Sequence, residues 1–200
     1  MLKIGITGGI GVGKTIVSRV FELLGIPVYD SDGRAKWVMH HDEALRADLV
    51  AAYGEQAFTL DGDLDRKYIA SVVFSDPEKL QRHNNLVHPH VRNDFAAWLQ
   101  QHADKPYIIK EAALMYESGA WKQVDKMIAV YAPLQVRVNR LLLRDAHRTE
   151  ADIKAIIGKQ LSEEEKMRRA DYVITNDDQQ MIVPQVLALH QHILELSKAY

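Results

Sequence analysis

The chain of 200 residues contains no cysteine. Disulfides, a thiol nucleophile and a thiolate metal centre are therefore excluded, and a reducing compartment suits the chain. Neither sign of charge is in excess: 25 basic residues face 27 acidic ones, for a formal net charge of -2. Such a balance lacks the broad basic footprint of a nucleic-acid binder. No run approaches the roughly 20 apolar residues that cross a bilayer. The first ten residues lack the basic segment and apolar stretch of a secretory signal. No internal repeat, low-complexity tract or Pro/Gly-rich linker interrupts the sequence. The expectation is one soluble cytoplasmic domain without a nucleic-acid or membrane partner, its oligomeric state left open.

What is present begins at Gly8-x-x-x-x-Gly13-Lys14-Thr15. Glycines let a backbone curl so that its N–H groups point at phosphate oxygens. In this pattern Lys14 reaches the β- and γ-phosphates and the Thr15 hydroxyl suits Mg²⁺. The required context is strand, loop, helix. The apolar run Leu2–Thr7 and the helical pattern Gly13–Leu24, closed by Gly25, supply it. Further short apolar runs at Pro27–Tyr29, Tyr107–Ala112, Lys126–Tyr131 and Asp171–Thr175 read as buried parallel strands. Helices are expected between them, the last three starting near Pro133, Thr149 and Asp177, which gives a doubly wound α/β fold. The long stretch between strands two and three reads as a helical insertion. It has a helix over 44–54, a turn at Asp61-Gly62-Asp63, and helices at Asp65–Phe74 and Pro77–Gln101.

Phosphate binding leaves the reaction open. A switch GTPase needs Asn-Lys-x-Asp, which is absent, and the third strand ends in Glu111 rather than the Asp or Asp-Glu of a mechanical ATPase. Asp30 and Asp32 close the second strand. If the backbone stays extended there, both side chains point the same way, beside the loop. One could accept the proton of an acceptor hydroxyl and the other could hold Mg²⁺. The competing reading of Asp32 is a helix cap. A kinase of a small acceptor, such as a nucleoside, and a nucleotide-gated binding protein both remain open.

Arg140, Arg144 and Arg148 recur every four residues, so one helix would present them on one side, as a phosphate clamp or as a solvated stripe. His83, His88 and His90 are close, but no His-Glu-x-x-His occurs and Pro89 is expected to break helical spacing. The run Ser162–Lys166 reads as a charged helix face. The apolar C-terminal helical pattern is expected to cover the sheet.

Taken in order, the residues resemble the dephospho-CoA kinase family. The matches are Gly5–Thr15, Asp30-Ser31-Asp32 with Ala35 and Lys36, Leu64-Asp65-Arg66, Val73-Phe74 and His88-Pro89. They continue with Gln135, Arg140, Arg144, Gln160, Glu165-Lys166, Ala170-Asp171 and Asn176. The segment Glu111–Glu117 departs from the family pattern, with Glu111 in place of an Asp and Ala113 in place of a proline. The resemblance implies a P-loop nucleoside-triphosphate hydrolase-like α/β fold of three layers, with a five-stranded parallel sheet, a helical insertion and a lid. It places the core at 1–32 and 106–200, the acceptor-binding insertion at about 33–105 and the lid at about 140–168. The implied reaction moves the ATP γ-phosphate to the ribose 3′-hydroxyl of dephospho-CoA, with Mg²⁺. The implied catalytic residues are Asp32 as general base, Lys14, Arg140 and Arg144. ATP would contact Gly9, Ile10, Gly11, Val12, Gly13, Lys14, Thr15, Ile16 and Asn176. The acceptor would contact Asp32, Lys36, Arg66, His88 and Glu111. Thr15 and Asp30 would serve the metal.

Overall fold

The computed structural model describes residues 1–73 and 76–199. The expected Phe74 match lies outside the described residues. Two compact units are present, Met1–Asp30 with the chain from His102 onward, and Ser31–Gln101.

The first unit is built on five parallel strands, β1 (Leu2–Thr7), β2 (Val28–Asp30), β3 (Tyr107–Glu111), β4 (Lys126–Tyr131) and β5 (Tyr172–Thr175). Their order is β2-β3-β1-β4-β5, so β3 lies between the first two strands. Alternation along the strands sorts side chains to two faces. Leu2, Ile4, Ile6, Ile109, Ile128 and Val130 face α1 (Lys14–Leu23) and α9 (Ile182–Ser197), packing on Val17, Phe21, Val186 and Ile193. Phe21 meets Tyr107 edge-on at 6.4 Å, and burying such a side chain contributes about 1.5–3 kcal/mol. The other face packs Met127 with Met115, Tyr116 and Ala112, flanked by Leu161 and Ala170.

Helix α1 ends as the sequence implies. The Gly25 N–H bonds the Glu22 carbonyl and the Ile26 N–H that of Phe21, with Gly25 at φ 80°. Helix α6 (Leu134–Arg144) stops at Asp145, and α7 (Glu150–Gly158) starts afresh from a Thr149/Asp152 capping box. Arg148 therefore lies in the connection and not on the helix of Arg140 and Arg144. Helix α9 begins later than Asp177, because the Asp177 carboxylate accepts the N–H groups of Gln179 and Gln180 and holds a turn there.

The second unit is helical: α2 (Ser31–His41), α3 (Glu43–Tyr53), α4 (Arg66–Val73) and α5 (Pro77–Gln101). It has its own core of Val38, Leu45, Leu49, Phe58, Ile69 and Val87. Helix α5 runs through Pro89 without a break. Its packing along α2, α3 and α4 outweighs the one lost hydrogen bond. His83 meets Tyr53 at 3.2 Å, whereas His90 lies between Asp42 and Asp48.

Strand β3 carries a buried cation. Lys110 is 3% exposed, and its Nζ donates to Gln123 Oε1 at 2.6 Å. Burial pulls its pKa from the usual 10.5 to about 8. Below that pH both folded and unfolded chains carry the proton, and the fold bears the desolvation cost. Between about 8 and 10.5 the unfolded chain binds more protons, so stability rises with pH. Lys110→Met is expected to stabilise the protein at pH 7 by about 1–2 kcal/mol. Urea unfolding should show that gain shrinking toward pH 10; a gain independent of pH, or a loss, contradicts this account.

Candidate active site

The loop Gly8–Gly13 leaves β1 and enters α1, with Gly13 as the N-cap at φ 88°, a left-handed conformation that favours glycine. Space makes the same demand, since a Cβ at Gly13 would overlap the Asn176 side-chain amide. Three N–H groups, those of Gly11, Gly13 and Thr15, make no hydrogen bond among the described residues. They lie at the positive end of α1, where an anion is favoured. Lys14 Nζ donates to the Gly8 carbonyl at 3.0 Å.

Not every loop amide is open. The Gly9 N–H donates to Glu163 Oε1 at 3.0 Å and the Ile10 N–H to Gln160 Oε1 at 2.9 Å. Glu163 opens α8 (Glu163–Arg169) and is 8% exposed, beside the equally buried Arg137 of α6, whose Nη1 is 3.4 Å away. Burial lowers the Arg137 pKa and the neighbouring Glu163 pulls it back up. Breaking such a buried pair from one side costs about 3–5 kcal/mol. The run 162–166 is thus no solvated face. Glu163 and Lys166 turn inward while Glu164 faces water. Sequence reasoning missed both Glu163 and Arg137. The available signal was their spacing: Arg137 falls three residues before Arg140, and Glu163 and Lys166 are one turn apart.

Of the expected arginines, Arg140 reaches the loop. Its Nη1 lies 3.4 Å from the Gly11 carbonyl, and its Nη2 donates to Asn176 Oδ1 at 3.0 Å and to Asp178. Asn176 in turn donates to the Val12 carbonyl at 2.7 Å. Arg144 is exposed and forked onto Asp145, at 2.8 and 3.0 Å, which raises its pKa. Ile16 is exposed on α1.

At the carboxyl ends of the strands, Asp30 and Glu111 are register partners. Glu111 Oε2 accepts the Ser18 hydroxyl at 2.5 Å, one turn beyond Lys14 on α1. Thr15, one turn before Ser18 on α1, carries a second hydroxyl and is exposed. Hydroxyl and carboxylate oxygens are the kind of donor a magnesium ion takes, and the described residues hold no group of three or more His, Asp or Glu side chains placed around one point for a metal.

Asp32 departs from expectation. The chain turns helical at Ser31, so Asp32 occupies the first turn of α2 and does not extend β2. The premise that Asp30 and Asp32 point the same way fails, because helical residues two apart diverge. In the helical unit, Lys36 and Arg66 are exposed, with Arg66 Nη2 3.5 Å from His40, and His88 is on α5 with its pKa lowered by desolvation and Arg92. A cavity of about 380 Å³ lined by Tyr131, Arg137, Gln160 and Glu163 opens beside the loop. A larger one, about 590 Å³, opens at the amino ends of β4 and β5 among Trp121, Lys126 and Asp171, at the opposite sheet edge. The first holds the residues that bond the loop amides, Gln160 and Glu163.

A parallel sheet whose first strand feeds this loop into a helix, with Lys14 at the helix start and Arg140 of α6 reaching the loop, defines a P-loop phosphate-binding protein. A shikimate kinase from Acinetobacter baumannii shares the fold at TM-score 0.50 and 19% identity. The family model for dephospho-CoA kinase matches residues 2–181. A Bacteroides fragilis dephospho-CoA kinase is 41% identical over 189 residues, 94% of this chain and 91% of that protein. One from Porphyromonas gingivalis is 35% identical over 94% of this chain and 93% of its own length. TT1252 from Thermus thermophilus, a solved structure, is 32% identical with a TM-score of 0.81, covering 98% of this chain and 97% of that one. The chain belongs to the dephospho-CoA kinase family, and so to the ATP-dependent phosphotransferases.

Proposed function

We propose that the protein transfers the γ-phosphoryl group of ATP to the ribose 3′-hydroxyl of dephospho-CoA, giving coenzyme A and ADP. The observation that carries this reading is the set of amides at Gly11, Gly13 and Thr15 that make no hydrogen bond among the described residues, beside Lys14, within a chain of this family. These groups, with Val12 and Ile16 flanking them, receive the phosphates. The amides of Gly9 and Ile10 serve the loop's own frame instead. Asn176 and Arg140 border the nucleotide from the end of β5 and from α6. In the transfer the acceptor oxygen bonds to the γ-phosphorus, the bond to the bridging oxygen breaks, and ADP leaves with that electron pair. Asp32 takes the hydroxyl proton. Lys14 and Arg140 stabilise the charge on the transferring group, which is the main work of such sites.

Thr15 and Asp30, with Glu111 beside Asp30, would hold Mg²⁺, which when bound neutralises phosphate charge. The helical unit carries the acceptor pocket, with Lys36 and Arg66 suited to an anionic acceptor and His88 to hydrogen bonding. The stretch of about 140–168 serves as the lid, Arg144 included, and excludes water. Use of ATP supports a cytoplasmic location.

The test is mass spectrometry of a panel of acceptors incubated with Mg²⁺ and ATP. Dephospho-CoA should gain one phosphoryl group with matching ADP release. Phosphorylation of nucleosides or sugars, with dephospho-CoA left untouched, would overturn the reading.

A further inference from the structure

Three consecutive peptide groups of the loop are gripped from outside it. Glu163 accepts the Gly9 N–H, Gln160 accepts the Ile10 N–H, and Arg137 Nε donates to the Ile10 carbonyl at 2.9 Å. The grip allows no added atom: a Cβ at Gly9 would overlap Arg137 Nη2 and lie 2.5 Å from Glu163 Oε1. The cluster is costly to maintain. Glu163, Arg137 and Lys166 are 8%, 3% and 0% exposed, and Lys166 Nζ lies 3.5 Å from Glu163 Oε1. Apolar side chains of similar volume would pack this space without burying ions. Burying them instead places an acceptor of fixed direction on one loop amide. That amide lies two residues before Gly11, the first of the loop N–H groups that make no hydrogen bond among the described residues, and the Gly9 carbonyl accepts the Val12 N–H between Gly11 and Gly13.

We propose that Glu163 is a positioning residue for phosphoryl transfer, acting through the Gly9 amide to preset the Gly11, Gly13 and Thr15 amides for the ATP phosphates. The proposal rests on the reading of this loop as the ATP phosphate site. Glu163 touches neither nucleotide nor acceptor. Its contribution is to remove the loop motion that would otherwise accompany charge development in transfer, which is what preorganised donors require.

The experiment first measures ATP binding by calorimetry and acceptor-dependent ADP release on the unaltered protein. Failure at that stage counts against the phosphate-site reading and not against Glu163. Glu163→Ala is then expected to lower kcat about tenfold or more, with a smaller rise in the KM for ATP. Glu163→Gln keeps an oxygen acceptor for the Gly9 N–H and should recover kcat to within about threefold of the parent. Ile193→Ala, which thins the packing of α9 on the sheet, provides a control of comparable thermal shift, and its kcat should stay within about twofold when assayed well below unfolding. Gln160→Ala leaves the ion cluster intact and should also lower kcat, which keeps the test open should Glu163→Ala not fold. The proposal is overturned by any of four results. These are an unchanged kcat in Glu163→Ala or, where that variant does not fold, in Gln160→Ala; an equal loss in Ile193→Ala; no recovery in Glu163→Gln; or tighter ATP binding in Glu163→Ala, which would make the carboxylate a competitor of phosphate.

Discussion

Lys14→Met is expected to lower kcat about a thousandfold, the loss typical when one preorganised donor is removed from developing charge. Lys14 donates to the Gly8 carbonyl, and its stem starts the helix whose positive end faces the loop. In this loop pattern the lysine ammonium is the cation that reaches the β- and γ-phosphates. The arginines nearby are set against carboxylates, Arg137 against Glu163, Arg140 against Asp178 and Arg144 against Asp145, and each carboxylate cancels part of the field its arginine would direct at a phosphate. Methionine keeps the length of the stem and removes the charge, so the fold should be unaffected. Urea unfolding should give a midpoint close to that of the parent, and steady-state kinetics should show the loss mainly in kcat. A variant with kcat within about tenfold of the parent would assign the charge stabilisation to the arginines instead.

Local rules made the loop and its helix legible. The glycine pattern, the apolar run before it and the Gly25 terminus each depend on residues within a turn or two of one another, and each is found as expected. The parallel strands were legible for a related reason, because a strand buried on both faces must be apolar throughout. Strand order was not, since the insertion of β3 between β1 and β2 pairs segments about a hundred residues apart. The inward Glu163 was hidden by its neighbours. Four charged residues in succession, Glu163 to Lys166, with Arg168 close behind, resemble a solvated face, and the buried Arg137 from another helix reverses that reading. Asp32 was misplaced because the strand was extended by two residues. Its sequence neighbours, Ser31 and Asp32 before Gly33, suit a helix start as well as a strand end.

Asp32→Asn is expected to lower kcat by a hundredfold or more while leaving ATP affinity close to that of the parent, because a general base contributes about 10²–10⁴ in rate and nothing to nucleotide binding. The helical placement of Asp32 makes this test cleaner than an extended one would. In the first turn of α2 an aspartate also interacts with the helix dipole, worth about 0.3–1 kcal/mol at an exposed position. Asparagine loses that term and keeps the size and shape of the side chain. A structural role alone thus predicts a small fall in unfolding midpoint and unchanged turnover, whereas a base adds a large loss of turnover to that small fall. Calorimetry with ATP, urea unfolding and acceptor-dependent turnover on one preparation separate the two. Turnover within about tenfold of the parent would reduce Asp32 to a first-turn residue that asparagine replaces almost as well, and the proton of the acceptor would then have to leave by another carboxylate.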